Sequence, residues 1–286
     1  PSVLRFAIAR DLYHGDRMAR VVSIFTAVFL IGPIFVPFVG EAILLVGSWR
    51  AVFAVGVVLA AAALAWTIRF GETMAPGHAR PIKLGPFAEG FGAVVRTPST
   101  RWAIIGTTLF TASFFVWLGS AQPILDRVYG RGSQFTLFFG LSGTGMALAL
   151  LANNRMIDRF GSKRMIRTAA SSHVVISSLA LLGVLAVGGV PVVWAWFGWV
   201  IVANALTMVL GPMASAVAME PMADKAGMAS AILGLCQLGF GSAMAAVVDG
   251  QIGDTVTPML VGAVVFGASG CAAMFAATAA AERAKA

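Results

Sequence analysis

Seven stretches of this chain run for 18 or more residues without a single Asp, Glu, Lys or Arg. A helix needs about 20 mostly apolar residues to cross the hydrocarbon core of a bilayer, and a charge at the bilayer centre costs about 3 kcal/mol. The stretches are residues 21–40, 51–68, 102–125, 132–154, 168–219, 226–248 and 255–281. Each of them is therefore predicted to cross a membrane.

One of these stretches, residues 168–219, is too long for a single crossing. Gly188, Gly189 and Pro191 lie near its middle and are typical of a turn, so we divide it into two spans. The composition agrees, because 59% of the residues are hydrophobic and 11% are charged, against about 45–50% and about 25% in soluble domains. We predict an all-α integral membrane protein with eight transmembrane helices.

The basic residues are distributed unevenly between the two ends of the predicted helices. Eight crossings place both termini on one side, and of the 20 lysines and arginines only Arg50, Arg127 and Arg131 fall on the other side. The positive-inside rule makes the terminal side cytoplasmic. This asymmetry accounts for the formal net charge of +8 without a nucleic-acid partner, since the basic residues form no single patch.

Residues 71–101 form a long connection that contains Pro76, Pro81, Pro86 and Pro98. We interpret it as a central cytoplasmic linker. It separates residues 1–70, the end of an N-terminal helix bundle with two complete spans, from residues 102–286, a C-terminal bundle of six helices.

Two spans before the linker and six after it make a lopsided arrangement. A pair of six-helix halves, as in membrane proteins built from parallel repeats, would need four more spans upstream. Arg5 and the pair Arg10-Asp11 favour this interpretation, because they resemble the end of a helix whose apolar body is absent. The alternative is that an initiator Met was removed before Pro1.

The first motif lies in the predicted first span and consists of Gly32, Pro33, Pro37 and Gly40, followed by Glu41. The two prolines are four residues apart, so both remove backbone hydrogen bonds on one face and predict a bend. An ordinary kinked membrane helix is the alternative. The run resembles the fifth-helix antiporter signature of the major facilitator superfamily, in particular of the Bcr/CflA-type drug-resistance transporters. Glu41 stands where that pattern has a second Gly.

A second motif follows residue 154 and carries Asp158, Arg159, Gly161, Lys163 and Arg164. A carboxylate among several cations at two helix ends can form a charge-assisted latch, and a solvated basic flank is the alternative. The order of residues resembles the loop motif of the same superfamily, in the copy between its eighth and ninth helices. Asn154 replaces the usual leading Gly.

Two further segments strengthen the resemblance to the Bcr/CflA-type transporters. One segment is similar to the tenth and eleventh helices of that family. It comprises Ala203-Asn204-Ala205-Leu206, Glu220-Pro221 and the run from Ala226-Gly227 to Gln237. The other segment is similar to the connection between the seventh and eighth helices of the family, and it comprises Ser120-Ala121-Gln122-Pro123 and Val128-Tyr129-Gly130. The resemblance implies a partial major facilitator fold, from the end of helix 4 through helix 12. It also implies proton-coupled efflux from a bacterial inner membrane, with the proton gradient as the energy source and no cofactor.

Polar and aromatic residues inside the spans are the candidates for a substrate cavity. They are Gln122, Asn204, Gln237, Phe114 and Trp117. Packing between helices is the alternative for each of them.

Glu41 is the only acid that we place within the bilayer, near the outer end of its span. Cys236 and Cys271 lack the spacing of a metal site.

Three function classes remain open from the residues alone. The first is a transporter for small molecules that needs the missing N-terminal helices or another subunit. The second is a non-transporting remnant or a membrane partner subunit. The third is an intramembrane serine protease, suggested by the G-x-S-G strings at Ser142 and Ser269, but no suitably spaced His follows either string. We therefore expect no catalytic residue.

Overall fold

The computed structural model describes residues 35–70 and 84–284, together with the single residues Val21 and Gly32. All regular elements of this described part are helices. The chain divides into two compact units, Pro1–Ile82 and Lys83–Ala286. The boundary between the units falls inside the segment interpreted above as a linker.

The first unit contains helix α1, Phe35–Val46, and helix α2, Trp49–Phe70. Between them the chain turns at Gly47 and Ser48, where the backbone N–H of Ala51 donates to Ser48 O at 2.8 Å. Helix α1 continues past the predicted end of the first span, because the single carboxylate of Glu41 does not stop an otherwise apolar helix. Most of the predicted span 21–40 lies outside the described residues.

The second unit contains eight α-helices in its described part. They are α3 (Leu84–Arg96), α4 (Pro98–Pro123), α5 (Phe135–Phe160), α6 (Ser162–Ala186), α7 (Val193–Met219), α8 (Ala226–Leu235), α9 (Gly241–Asp249) and α10 (Thr257–Arg283). A π-helical turn, Ile124–Val128, extends α4, and another, Cys236–Phe240, joins α8 to α9 in one span. Short 3₁₀ segments, Gly132–Gln134 and Glu220–Lys225, precede α5 and α8.

Seven helices of the described part are long and apolar enough to cross a membrane. One is α2, and the other six are α4, α5, α6, α7, the joined α8 and α9, and α10. The prediction of a multi-pass, all-α membrane protein is confirmed. The remaining predicted span, residues 21–40, has a described counterpart only in the shorter apolar helix α1.

The predicted turn within residues 168–219 is present between α6 and α7. Gly188 and Gly189 have φ values of +74° and +93°, a region that residues with a Cβ rarely occupy. Gly189 O accepts a hydrogen bond from Val256 N at 3.1 Å. The turn is thereby tied to the connection between α9 and α10.

Helix α3 lies within the segment 71–101 that the sequence analysis interprets as a linker. Its buried face includes Gly90 and Val94, and a Cβ at Gly90 would lie 2.6 Å from Met228 Cγ on α8. Helix α4 begins at Pro98, before the predicted boundary at Trp102. Proline is favourable at the first position of a helix, because its φ is already helical and its missing N–H would be unbonded there.

The core of the second unit is centred on α4, which packs along α10. At the closest approach, a Cβ on Gly106 would lie 3.2 Å from Gly270 O, and a Cβ on Gly270 would lie 3.4 Å from Gly106 O. Small residues allow membrane helices to approach closely and gain van der Waals contact. Phe110 and Met274 pack on the two sides of this crossing.

Candidate functional site

Helices α5 and α7 run parallel to each other along the second unit. The rings of Phe138 and Phe197 are 4.6 Å apart, and farther along both helices a Cβ at Gly145 would lie 2.7 Å from Ile201 Cγ2. Since the residue numbers rise together from one contact to the next, the helices point the same way.

Besides the indole Nε1 of Trp196 in the aromatic core, three polar side-chain atoms on this helix pair are buried without a hydrogen-bond partner among the described residues. They are Ser142 Oγ and Asn153 Oδ1 on α5, and Asn204 Nδ2 on α7. Leaving such an atom unpaired costs about 1–3 kcal/mol, and intramembrane polar groups commonly mark a ligand or ion pathway. The α5–α7 polar row, as we call these three residues, is the strongest candidate site in the described part.

The predicted cavity residues lie in different surroundings. Asn204 is 5% exposed and belongs to the polar row, Gln237 is half-buried in the second π turn, and Gln122 is exposed in the last turn of α4. No described hydrogen bond joins any two of these three residues. Their common role in binding stays a prediction.

The two predicted aromatic residues, Phe114 and Trp117, also differ in their burial. Phe114 is half-buried, with its ring 6.0 Å from that of Phe115. Trp117 is 1% exposed and packs between Phe139 and Trp196, at 6.2 and 5.8 Å. Trp117 is therefore part of the packed core, and any contact with a substrate would require these rings to separate.

The π turn at Cys236–Phe240 interrupts the span formed by α8 and α9. Single π turns inside α-helices occur frequently at functional sites. Directly after it, the Cβ position of Gly241 lies 3.6 Å from Thr108 O and from Ala112 N on α4. Gln237, in the π turn, is therefore one turn before Gly241, the first residue of α9 and the residue that contacts α4. Sequence reasoning missed the π turn, because the apolar pattern does not change there.

A polar contact between side chains joins α4 to α9 near the ends of the two spans. Ser120 Oγ donates a hydrogen bond to Asp249 Oδ1, and the same carboxylate lies against Gly119, at the place where a Cβ would project. We call these three residues the carboxylate contact. Sequence reasoning missed Asp249, which is the first charge after the run 226–248, although it closes the candidate span Gly227–Asp249.

The second sequence motif forms the connection between α5 and α6. Gly161 has φ +77° and ψ 147°, its N–H donates to Ile157 O at 2.8 Å, and its own O accepts from Met165 N at 3.1 Å. Arg159 Cζ lies 5.3 Å from the centroid of the Phe160 ring. The side chains of Asn154 and Asp158 lie outside the description, so the predicted latch stays a prediction, as do the roles of Lys163 and Arg164.

The first sequence motif is described only in part. Pro37 and Gly40 lie in α1, Gly32 is one of the two isolated described residues, and Pro33 lies outside the described residues. Nothing lies within 4 Å of a Cβ position on Gly32 or Gly40. The bend expected from the two prolines therefore stays a prediction.

The described residues provide neither a metal centre nor a nucleophile paired with a base at the G-x-S-G strings. No three His, Cys, Asp or Glu side chains of the described part are grouped so that they could hold a metal ion. His173 Nδ1 and Ser142 Oγ are both buried without a partner. The His173 ring packs edge-on against Phe110 at 5.2 Å, so it does not activate Ser142.

Comparison with known proteins relates this chain to a large membrane family. The model of the Major Facilitator Superfamily matches residues 2–246. A bicyclomycin resistance protein homolog of Haemophilus influenzae is 27% identical over 270 residues, which covers 91% of this chain and 65% of that protein. An uncharacterized MFS-type transporter, YdgK of Bacillus subtilis, is 27% identical over 272 residues, 92% of this chain and 65% of that protein.

A third relative is the multidrug resistance protein MdtL of Shewanella oneidensis. It is 25% identical over 244 residues, which is 82% of this chain and 59% of that protein. The chain thus spans just under two thirds of the length of these curated relatives.

Proposed function

This chain belongs to the Major Facilitator Superfamily, and on that premise we propose that it acts in a membrane transporter that exports drugs or other small amphipathic molecules. The observation that carries the proposal is the α5–α7 polar row, whose buried atoms have no described partner. A substrate with polar groups, or water that accompanies it, would satisfy these atoms. The names of two relatives, a bicyclomycin resistance protein homolog and a multidrug resistance protein, support drugs as the substrate class.

Transport in this proposal occurs by rocking of two helix bundles around a site near the middle of the membrane. Helices beyond the 286 residues, or another subunit, complete the first bundle. The length of the relatives supports this, because the chain covers 65% of the length of each of the first two.

The proton gradient supplies the energy for transport. The resemblance of residues 32–40 to the antiporter signature supports that choice.

The transporter lies in the bacterial inner membrane with both termini in the cytoplasm. The basic residues support this orientation, since all but Arg50, Arg127 and Arg131 fall on the side of the termini. Family membership favours a transporter over an enzyme, and the unpaired His173 and Ser142 give the protease alternative no support.

The test uses inside-out vesicles from cells that express the full product of the gene. Respiration acidifies the vesicle interior, a pH-sensitive acridine dye reports the gradient, and ethidium or bicyclomycin is then added. Drug/proton antiport would dissipate the gradient and restore the dye fluorescence. Absence of any drug movement would contradict the proposal and favour a non-transporting remnant or a partner subunit. Drug movement without proton movement would contradict proton coupling alone.

A pair of matched variants on α7 tests the site. Asn204→Leu removes a member of the polar row, so we expect the drug response to fall at least tenfold. Thr207→Val is the control, because Thr207 is also buried but its hydroxyl donates to Ala203 O in its own helix at 3.1 Å. Both variants are first checked for an unchanged melting temperature in detergent. Equal loss of transport in both would contradict a specific role for Asn204.

A further inference from the structure

A groove of about 480 Å³ lies between α6 and α10 on the surface of the second unit. One end is polar and is lined by Arg167, Thr168, Ser171 and Ser172. The other end is apolar and is lined by Val175 and Ile176, and Phe275 of α10 lies between the two ends, beside Arg167. The groove therefore changes from polar to apolar along the direction of the membrane helices.

The exposed side of α6 next to this groove is apolar, as is typical of a helix surface that faces lipid. Val175 is 56% exposed, and Leu179 and Leu182, farther along the same helix, are 63% and 64% exposed. Large aliphatic side chains exposed along a transmembrane helix contact acyl chains. The apolar end of the groove is thus at the depth of lipid tails.

The polar end lies close to the membrane surface. Helix α6 begins at Ser162, and at 1.5 Å per residue Arg167 lies about 7–8 Å from that end, whereas Val175 lies about 20 Å from it. Thr278 and Glu282, which face Arg167 from α10, belong to the last two turns of that helix. Arg167 is therefore at the depth where phospholipid headgroups meet the hydrocarbon core.

Three contacts with α10 hold the guanidinium of Arg167 in place. Its Nε donates to Thr278 Oγ1 at 2.9 Å, and its Nη2 donates to Glu282 Oε2 at 2.9 Å. Its Cζ lies 5.8 Å from the centroid of the Phe275 ring. None of the described hydrogen bonds uses Nη1, which leaves the donors of that atom for another acceptor.

The charge at this end of the groove is positive. Lys163 and Arg164 precede Arg167 on α6, while Glu282 is the one carboxylate that faces the guanidinium in a described ion pair. A basic pocket between membrane helices is suited to an anionic lipid headgroup.

We propose that this groove binds an anionic phospholipid, of the phosphatidylglycerol type, from the leaflet on the Arg167 side. The phosphodiester accepts hydrogen bonds from Arg167 and from the hydroxyls of Thr168, Ser171 or Ser172, and an acyl chain lies along Val175, Ile176 and Phe275. The site is independent of the proposed drug cavity. It serves as a specific lipid contact on the outside of the helix unit.

Native mass spectrometry of the protein, purified from its native membrane, tests this site. The protein is titrated with phosphatidylglycerol and with phosphatidylcholine of identical acyl chains. We expect at least fivefold tighter binding of phosphatidylglycerol. Arg167→Gln should abolish the preference, and Ser171→Leu, which fills the groove, should weaken binding of phosphatidylglycerol. Equal binding of the two lipids by the unchanged protein would overturn the proposal.

Matched controls separate a site from general charge attraction. Arg283→Gln removes an equal charge from the exposed end of α10, and Ser178→Leu changes a half-buried serine of α6 that does not line the groove. Both should retain the preference. Loss of the preference in Arg283→Gln to the same degree as in Arg167→Gln would overturn the proposal.

Glu282→Gln tests whether Arg167 acts only through its ion pair with α10. This variant breaks the ion pair but keeps the guanidinium, so we expect phosphatidylglycerol to bind as well as before or more tightly. If Glu282→Gln lost the preference as Arg167→Gln does, the ion pair rather than a lipid contact would explain the effect, and the proposal would fall.

Discussion

Gly161 determines how the chain turns from α5 into α6. Its φ of +77° and ψ of 147° lie in a region that only glycine occupies at low energy. Gly161 is also a position of the loop motif that the sequence resembles. The structure adds the physical reason, which is a conformation that a side chain would strain.

We expect Gly161→Ala to lower the free energy of unfolding by about 1–3 kcal/mol. Thermal unfolding of the purified protein in detergent measures this. Gly183→Ala is the control, because Gly183 lies within α6 with nothing within 4 Å of its Cβ position. That change should be neutral or stabilise by about 0.5–1 kcal/mol. Equal loss of stability in both variants would contradict the explanation.

The carboxylate contact of Gly119, Ser120 and Asp249 predicts a coupled pair of mutations. A Cβ at Gly119 would collide with the Asp249 carboxylate and displace it from Ser120, so Gly119→Ala should cost about 1.5–3 kcal/mol. After Asp249→Ala the same change should cost little, because the colliding group is gone. Unfolding of the single and double variants measures the coupling, and simple additivity would contradict it.

Tyr129 follows the π turn that ends α4, outside the candidate span, and its ring packs 5.3 Å from Trp196. Burial raises the pKa of Tyr129 from 10.0 to about 12. The neutral phenol is favoured in the folded protein, so its contribution to stability is complete below pH 10 and is lost as the pH rises through about 12. Ultraviolet titration of a Tyr13→Phe variant should show this late ionisation, and a transition near pH 10 would contradict it.

At the scale of elements, the positions of most spans follow from the absence of charged residues, and only the division of residues 168–219 needs the turn at Gly188, Gly189 and Pro191. Residues 51–68, 102–125 and 132–154 all lie inside observed helices, because a charge inside the bilayer is costly while apolar residues are not. The exact helix ends do not follow, since α5 continues through Arg155 and Arg159 into the interfacial region. Both π turns escape prediction as well, because they alter the backbone register without altering hydrophobicity.

The crossing of α4 and α10 predicts a strong effect of side-chain size. Gly106→Leu should destabilise the second unit by about 1–3 kcal/mol, because a Cβ there would lie 3.2 Å from the backbone oxygen of Gly270, which cannot rotate away. Gly198→Leu on α7 is the control, with nothing within 4 Å of its Cβ position. Melting temperatures in detergent compare them. Equal melting temperatures for the two variants would contradict close packing at this crossing.

At the scale of the whole molecule, the candidate site was only partly predictable. Asn204 is predictable, because a polar residue inside a membrane span is costly, and the structure shows it buried without a described partner for Nδ2. That Ser142 and Asn153 belong to the same helix pair depends on which helices pack together, and hydrophobicity does not encode that pairing. Gln122, exposed at the end of α4, shows that an intramembrane polar residue need not lie in the core.

The distribution of basic residues predicts which ends of the helices face the cytoplasm. A single cysteine is introduced at Ser48, between α1 and α2, or at Lys163, at the start of α6, after Cys236 and Cys271 are replaced by Ala. A membrane-impermeant maleimide should label Ser48→Cys in cells whose outer membrane has been permeabilised, and Lys163→Cys only once the inner membrane is also opened. The reverse pattern would contradict the assigned orientation.

The docking of α3 on α8 has a consequence for synthesis on the ribosome. Gly90 lies against Met228, yet at about 5–20 residues per second Met228 emerges roughly 7–28 s after Gly90. During this interval the face of α3 that Val94 shares with Gly90 has not met its final neighbour. A nascent amphipathic helix of this kind can rest on the membrane surface, so α3 reaches its place only after α8 has been made, although it is the first helix of the second unit to be synthesised.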